Sequence, residues 1–220
     1  MKEIGHLYLC WRKGQGERRY IVGVLKKNAT EGVRFEYLKD GVEAAKKEGF
    51  APYPEFPDLN KRYSENVVEI FGQRIIKSER SDIQDFLDFW EVERKYKDDK
   101  FYLLAHTQGL SPTDNFEFLA DYNRIKSLKF STDLAGLSVL KLPAGELQKG
   151  DILSYELDKR NKYDLHAVKV YNGNTFVGYI KKIHSRVFYK KGTGRFILTV
   201  KAVEQNGTIK RVFIRVAINN

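Results

Sequence analysis

The first third of the chain is patterned for strands. His6-Leu7-Tyr8-Leu9-Cys10-Trp11-Arg12 reads as a strand and runs into a turn at Gly14-Gln15-Gly16. Tyr20–Lys27 and Val33–Leu38 are rich in β-branched and aromatic residues, and Asn28–Gly32 between them has hairpin length. The pattern then turns helical. Asp40 is placed to cap a short helix that stops at Gly49. After it, Phe50–Tyr63 holds three of the five prolines and predicts an extended, irregular surface segment. Ser64 is placed to cap a helix over Glu65–Ile76, with Val68, Phe71 and Ile75 at helical spacing. From Ser81 a second helix runs through Tyr96, its stripe formed by Ile83, Phe86, Leu87 and Trp90. A third covers Phe101–His106 and closes at Gly109.

Beyond Arg124 the texture changes to short strands. They are predicted at Ser138–Leu142, Ile152–Leu157, His166–Tyr171, Thr175–Tyr179, Phe196–Val203 and Lys210–Ala217. Asn172-Gly173 and Asn206-Gly207 mark tight hairpin turns, because both residue types tolerate positive φ. One helix, Ile180–Tyr189, interrupts the strands, and the set suggests a small barrel or curled sheet. The fold class expected is therefore α+β: a small α/β module over 1–122, built from an antiparallel sheet plus helices, then a β-barrel with one helix over 126–220.

Charge sharpens that division. The 220 residues carry a net +10, but residues 1–122 hold 20 Lys and Arg against 22 Asp and Glu, a net −2. Residues 123–220 hold 19 against 7, a net +12. A small domain so basic attracts polyanions, of which nucleic acid is the commonest in a cytoplasm. No apolar run reaches membrane-span length, and the N-terminus lacks a signal-like cleavage site, so a cytoplasmic protein with no membrane partner is expected. The single cysteine, Cys10, leaves no disulfide framework, and with four scattered histidines it supplies no zinc set. There is no phosphate-binding loop, no nucleophile elbow and no H-E-x-x-H pair. Asp133, Asp151, Asp158 and Asp164 do not assemble a metal cluster by spacing. The expectation is a protein without catalytic residues, metal or cofactor.

The strongest motif is Arg160-Asn161-Lys162-Tyr163-Asp164-Leu165-His166-Ala167-Val168-Lys169-Val170-Tyr171 followed by Phe176-Val177-Gly178-Tyr179-Ile180-Lys181-Lys182-Ile183. It resembles the HIRAN domain, whose pattern is roughly N-x-Y-D-x-x-A-v-x-v, a turn, and v-G-y-i. The resemblance spans about 128–218. It implies an OB-like barrel that binds single-stranded DNA, 3′ ends or junctions, in DNA repair and processing or in a mobile-element or defence setting. Carried onto this chain, it implies that Tyr163 stacks on a base and Asp164 accepts from a sugar hydroxyl. Lys181 and Lys182, at a helix start, neutralise phosphate, and Tyr179 lies near the nucleotide. Arg160, Asn161, Lys190 and Lys191 line the backbone path. The Tyr163-Asp164 pair also fits a turn with a packed ring whose Asp bonds backbone amides.

The N-terminal half weakly resembles the N-terminal subdomain of HipA-type toxin kinases, carried by Val22–Leu25, Val33–Tyr37, Pro52–Pro57, Glu65–Phe71 and Leu103–His106. No kinase core follows, so the resemblance implies a protein-docking surface rather than phosphoryl transfer. The main reading is a HIRAN-type single-stranded DNA-binding protein. The alternatives are a non-enzymatic adaptor of toxin–antitoxin or phage-defence type and, as a third, a metal-dependent nuclease or phosphoesterase, for which the spacing of the four aspartates supplies no cluster.

Overall fold

A computed structural model describes residues 2–75, 81–112 and 114–219. The chain forms two compact units, Ile4–Leu87 with Val92–Asp121, and Met1–Glu3 with Asp88–Glu91 and Tyr122–Asn220.

The first unit is a four-stranded antiparallel sheet with helices. Strands β1 (Ile4–Trp11), β2 (Tyr20–Asn28) and β3 (Gly32–Tyr37) form where the alternation places them, and a fourth, β4 (Phe116–Tyr122), completes the order β3-β2-β1-β4. The alternation did not single out β4, because Glu117–Ala120 is buried without a break and shows no period of two. Helix α1 (Lys39–Lys46) carries Asp40 in its first turn rather than at its cap. Helix α2 (Val67–Gly72) starts after Asn66 rather than Ser64, and its expected end at Ile76 lies outside the described residues. The proline-rich segment is irregular and mostly exposed as expected, but two of its rings anchor it to the core. Tyr53 and Phe56 are buried against Phe71, and the Tyr37 hydroxyl donates to Phe56 O at 2.9 Å while accepting from Tyr53 N at 2.8 Å. Burial pushes the Tyr37 hydroxyl up to about 12.

Helix α3 (Ile83–Phe89) ends well short of Tyr96, and only a 3-10 turn follows at Arg94–Tyr96 before α4 (Lys100–Thr107). The break falls at Glu91, which adopts φ +56°. The helix stops before Trp90 and Glu91, and its last residues, Asp88 and Phe89, already belong with those two to the second unit. Phe89 and Trp90 meet Phe213 edge-on, with centroids 5.3 and 5.7 Å away. The Ser131 hydroxyl donates to Phe89 O at 2.6 Å, and Lys201 Nζ donates to Asp88 O at 2.9 Å. Glu91 pairs with Lys201 at 2.8 Å and with Arg215 at 3.2 Å.

The second unit is a curled six-stranded sheet in the order β5-β10-β9-β6-β7-β8. Its strands are β5 (Lys129–Asp133), β6 (Ile152–Leu157), β7 (Val168–Asn172), β8 (Thr175–Tyr179), β9 (Arg195–Asn206) and β10 (Thr208–Asn219). The two Asn-Gly hairpins join β7 to β8 and β9 to β10 as expected. Ser138–Leu142 is not a strand. Gly136 adopts φ +89° and opens a single helical turn, α5 (Leu137–Leu140). The sheet closes on itself just before that turn. Ala135 N donates to Tyr179 O at 2.8 Å and Tyr179 N donates back to Ala135 O at 2.9 Å, joining the extension of β5 to β8. Gly178 sits at the seam with φ +136°, and a Cβ there would stand 2.8 Å from Ala135 O. The glycine of the V-G-Y motif is thus explained by barrel closure. The interior is filled by Val168, Val170, Val177, Leu198, Val200, Val212 and Ile214.

Candidate nucleic-acid interface

The turn between β6 and β7 carries most of the motif. Asn161 builds it: its Oδ1 accepts from Tyr163 N at 2.9 Å and Asp164 N at 3.0 Å, and its Nδ2 donates to Asp158 Oδ2 at 3.1 Å. Asp164 Oδ1 accepts from His166 N at 2.9 Å, and Ala167 N donates to Asp164 O at 3.1 Å. These are Asx turns, in which a short polar side chain replaces a backbone partner. The Asp164 part of the turn reading, a carboxylate bonded to a backbone amide, is present, whereas the packed ring is not. Asp164 is half-buried and supports the turn, while Tyr163 does not pack: its side chain is 87% exposed. Leu165, two residues on, is 79% exposed.

Cations surround this apolar tip. Lys159, Arg160 and Lys162 are exposed on the same turn. Lys182 is exposed and its Nζ lies 3.5 Å from Tyr163 O. Behind the tip, His166 meets Tyr189 edge-on at 5.1 Å, and the Tyr189 hydroxyl donates to Ala167 O at 2.8 Å. Burial pushes the pKa of the Tyr189 hydroxyl up, and the carboxylates of Asp164 and Asp158 push it further, all disfavouring the phenolate.

The two adjacent lysines part company. Lys181 is only 1% exposed, and its amine is ion-paired with buried Asp133, which also meets Arg211 at 3.3 Å. A buried, committed ammonium cannot meet a phosphate from solvent, so Lys181 is a structural residue and the expectation for it is corrected. The expected helix start is absent as well. The turn there is a 3-10 segment, His184–Tyr189, whose first residues His184 and Ser185 are buried. Lys190 is also committed, donating to Tyr122 O at 2.6 Å and to Asn123 Oδ1 at 3.2 Å. Lys191 next to it is exposed. Tyr179 is half-exposed and meets the Phe176 ring at 5.1 Å. Arg160, Asn161, Tyr163, Asp164 and Lys182 are thus brought together, Lys181 is taken out of reach, and half-exposed Lys190 is engaged with Tyr122 and Asn123.

Leu165 and Lys162 were not singled out from the sequence. A leucine inside an Asx-rich turn, flanked by Asp164 and His166, is the signal that marks an exposed apolar tip. Among the described residues no group of three or more His, Cys, Asp or Glu is placed to hold a metal ion, and no helix is long and apolar enough to cross a membrane.

No protein-family model matches either half of the chain, and no curated protein matches it. Among solved structures the chain is similar to the HIRAN domain of human HLTF, at 20% identity over 42% of this chain and 77% of that one, with a TM-score of 0.33. It is also similar to a protein from Lactobacillus plantarum, at 18% identity over 41% of this chain and 94% of that one, with a TM-score of 0.31. At these TM-scores the likeness is modest.

Proposed function

We propose that the C-terminal barrel binds single-stranded DNA through the Asn161–His166 turn. The observation that carries this reading is the solvent-facing Tyr163 ring, on a backbone fixed by Asn161 and bordered by Arg160, Lys162 and Lys182. A large ring at such exposure gains nothing for folding, whereas an unpaired base stacked on it contributes about 1–3 kcal/mol. The backbone that carries the ring is already held by Asn161 and Asp164, so binding does not have to order the loop. The neighbouring cations supply the phosphate attraction, and the net charge of +12 over residues 123–220 supplies the long-range field. Asp164 keeps one carboxylate oxygen on His166 N and presents the other as an acceptor for a sugar hydroxyl or base edge. The function is recognition without catalysis.

The test is fluorescence anisotropy with the full chain and a labelled single-stranded oligonucleotide at low salt. Binding that weakens by about 5–150-fold in Tyr163→Ala supports the reading. Absence of binding, or affinity unchanged in Tyr163→Ala, overturns it. Duplex of the same sequence is the reference, and it binds more weakly because its bases are not free to stack.

A further inference from the structure

The solvent face of β6, β7 and β8 carries a row of aromatic rings that the Tyr163 turn does not use. Glu156, Lys169 and Tyr179 stand opposite one another across the three strands, as do Ser154, Tyr171 and Phe176. Directly paired residues share a face, so all six side chains project on one side, while Val168, Val170 and Val177 fill the interior. Tyr171 and Phe176 have centroids 5.7 Å apart, and Phe176 and Tyr179 5.1 Å apart. All three rings are half-exposed rather than covered. Gly136, at the start of α5, approaches the Tyr179 ring, and Val139 of the same turn is 83% exposed.

The row is continuous with the proposed site. Lys169, between Tyr171 and Tyr179, is ion-paired at 3.5 Å with Asp158, and Asp158 accepts from the Asn161 side chain that builds the Tyr163 turn. Lys182, beside Tyr163, follows Tyr179 by three residues. The two carboxylates on this face are already engaged, Asp158 by Lys169 and Glu156 by the Tyr171 hydroxyl at 3.4 Å. They lie on the β6 side, which leaves the β8 rings and the Lys182 side for a phosphate backbone.

We infer that this face is a stacking platform for the nucleotides flanking the one on Tyr163, so that the ligand is an extended single strand of several nucleotides and not a lone terminal base. The inference rests on the reading of Tyr163 given above. Each ring offers a flat surface to any base, and a row of rings along a sheet holds successive bases without reading their sequence.

The test compares a trinucleotide with a decanucleotide of deoxycytidine on the full chain. The expected result is that Phe176→Leu, which keeps apolar bulk but removes the flat ring, weakens the decanucleotide by about fivefold or more and leaves the trinucleotide unchanged. Tyr163→Ala weakens both. A second measurement needs no variant: photo-cross-linking of the wild-type chain to a decanucleotide bearing iodinated pyrimidines places adducts on Tyr171, Phe176 or Tyr179. Equal decanucleotide affinity in Phe176→Leu, or adducts confined to Tyr163, overturns the platform while leaving the Tyr163 site standing. Failure of the wild-type chain to bind either oligonucleotide overturns both.

Discussion

Gly178 lies so close to Ala135 that a Cβ on the glycine would stand 2.8 Å from the Ala135 carbonyl oxygen, at the only point where the strand order β5-β10-β9-β6-β7-β8 is joined end to end among the described residues. Its φ of +136° adds to the restriction, since side-chain-bearing residues rarely adopt it. Gly178→Ala is therefore expected to cost about 1–3 kcal/mol and to open the seam first. Denaturant unfolding measures the loss, and faster hydrogen exchange at the amides of Ala135 and Tyr179 locates it.

Lys181 and Lys182 are expected to separate cleanly by experiment. Removing the buried amine in Lys181→Met takes the ammonium away from the buried Asp133 carboxylate and costs about 3–5 kcal/mol in urea unfolding. Lys182→Gln costs little stability because the side chain is exposed. In oligonucleotide titrations, Lys182→Gln flattens the plot of log affinity against log salt by about 0.7, one phosphate on a single strand. A reversed pattern, with the salt slope responding to Lys181, would mean that the buried pair opens to bind.

Asn161→Ala removes the acceptor for two amides and a donor to Asp158. Each of the three lost hydrogen bonds is worth about 1 kcal/mol, so a fall of roughly 2–3 kcal/mol in stability is expected. Affinity for single strands falls with it although Asn161 need not touch the ligand, because Tyr163 is no longer pre-positioned. Increased backbone motion at Lys162–Leu165 in NMR relaxation separates this from loss of a direct contact.

Glu91 gives a pH signature. Burial opposes its ionisation, but Lys201 and Arg215 outweigh burial and hold the carboxyl below its usual range. A group whose value is lowered by folding stabilises the fold fully above its unfolded value, about 4.3, and loses that contribution as pH falls through the lowered one. Unfolding midpoints should decline from about pH 5 downward, and Glu91→Gln should be less stable at neutral pH with a flatter acid limb. An acid limb identical in the variant would show that the pair with Lys201 and Arg215 contributes nothing.

Much of the architecture was legible because it is written locally. Alternation marks β1 to β3 and β6 to β10, and Asn-Gly fixes two hairpins. The departures occur where a distant partner decides. Leu137–Leu140 has strand-like composition, but a left-handed Gly136 turns it into a helical turn. The helix from Ile83 fails at Phe89 because Phe213, Lys201 and Arg215 lie more than a hundred residues later. The same holds at the site. Asn161, Tyr163 and Asp164 form a local turn, and their grouping was visible in the motif. Nothing local distinguishes Lys181 from Lys182, because the burial of the first depends on Asp133, which sits on another strand. Tyr171 was within reach, since Lys169 and Tyr171 alternate with inward Val168 and Val170 on β7, whereas the irregularity between β7 and β8 breaks the alternation at Val177-Gly178 and hides Phe176.

Residues 88–91 bear on how this protein can be divided. A fragment beginning at Tyr122 would retain every strand of the six-stranded sheet yet lack the aromatic pair and the acid that shield Phe213, Lys201 and Arg215. Such a fragment would display a greasy, cationic scar of its own making, and polyanions adhering to that scar would mimic genuine recognition. Only the uncut polypeptide keeps this artefact out of a titration.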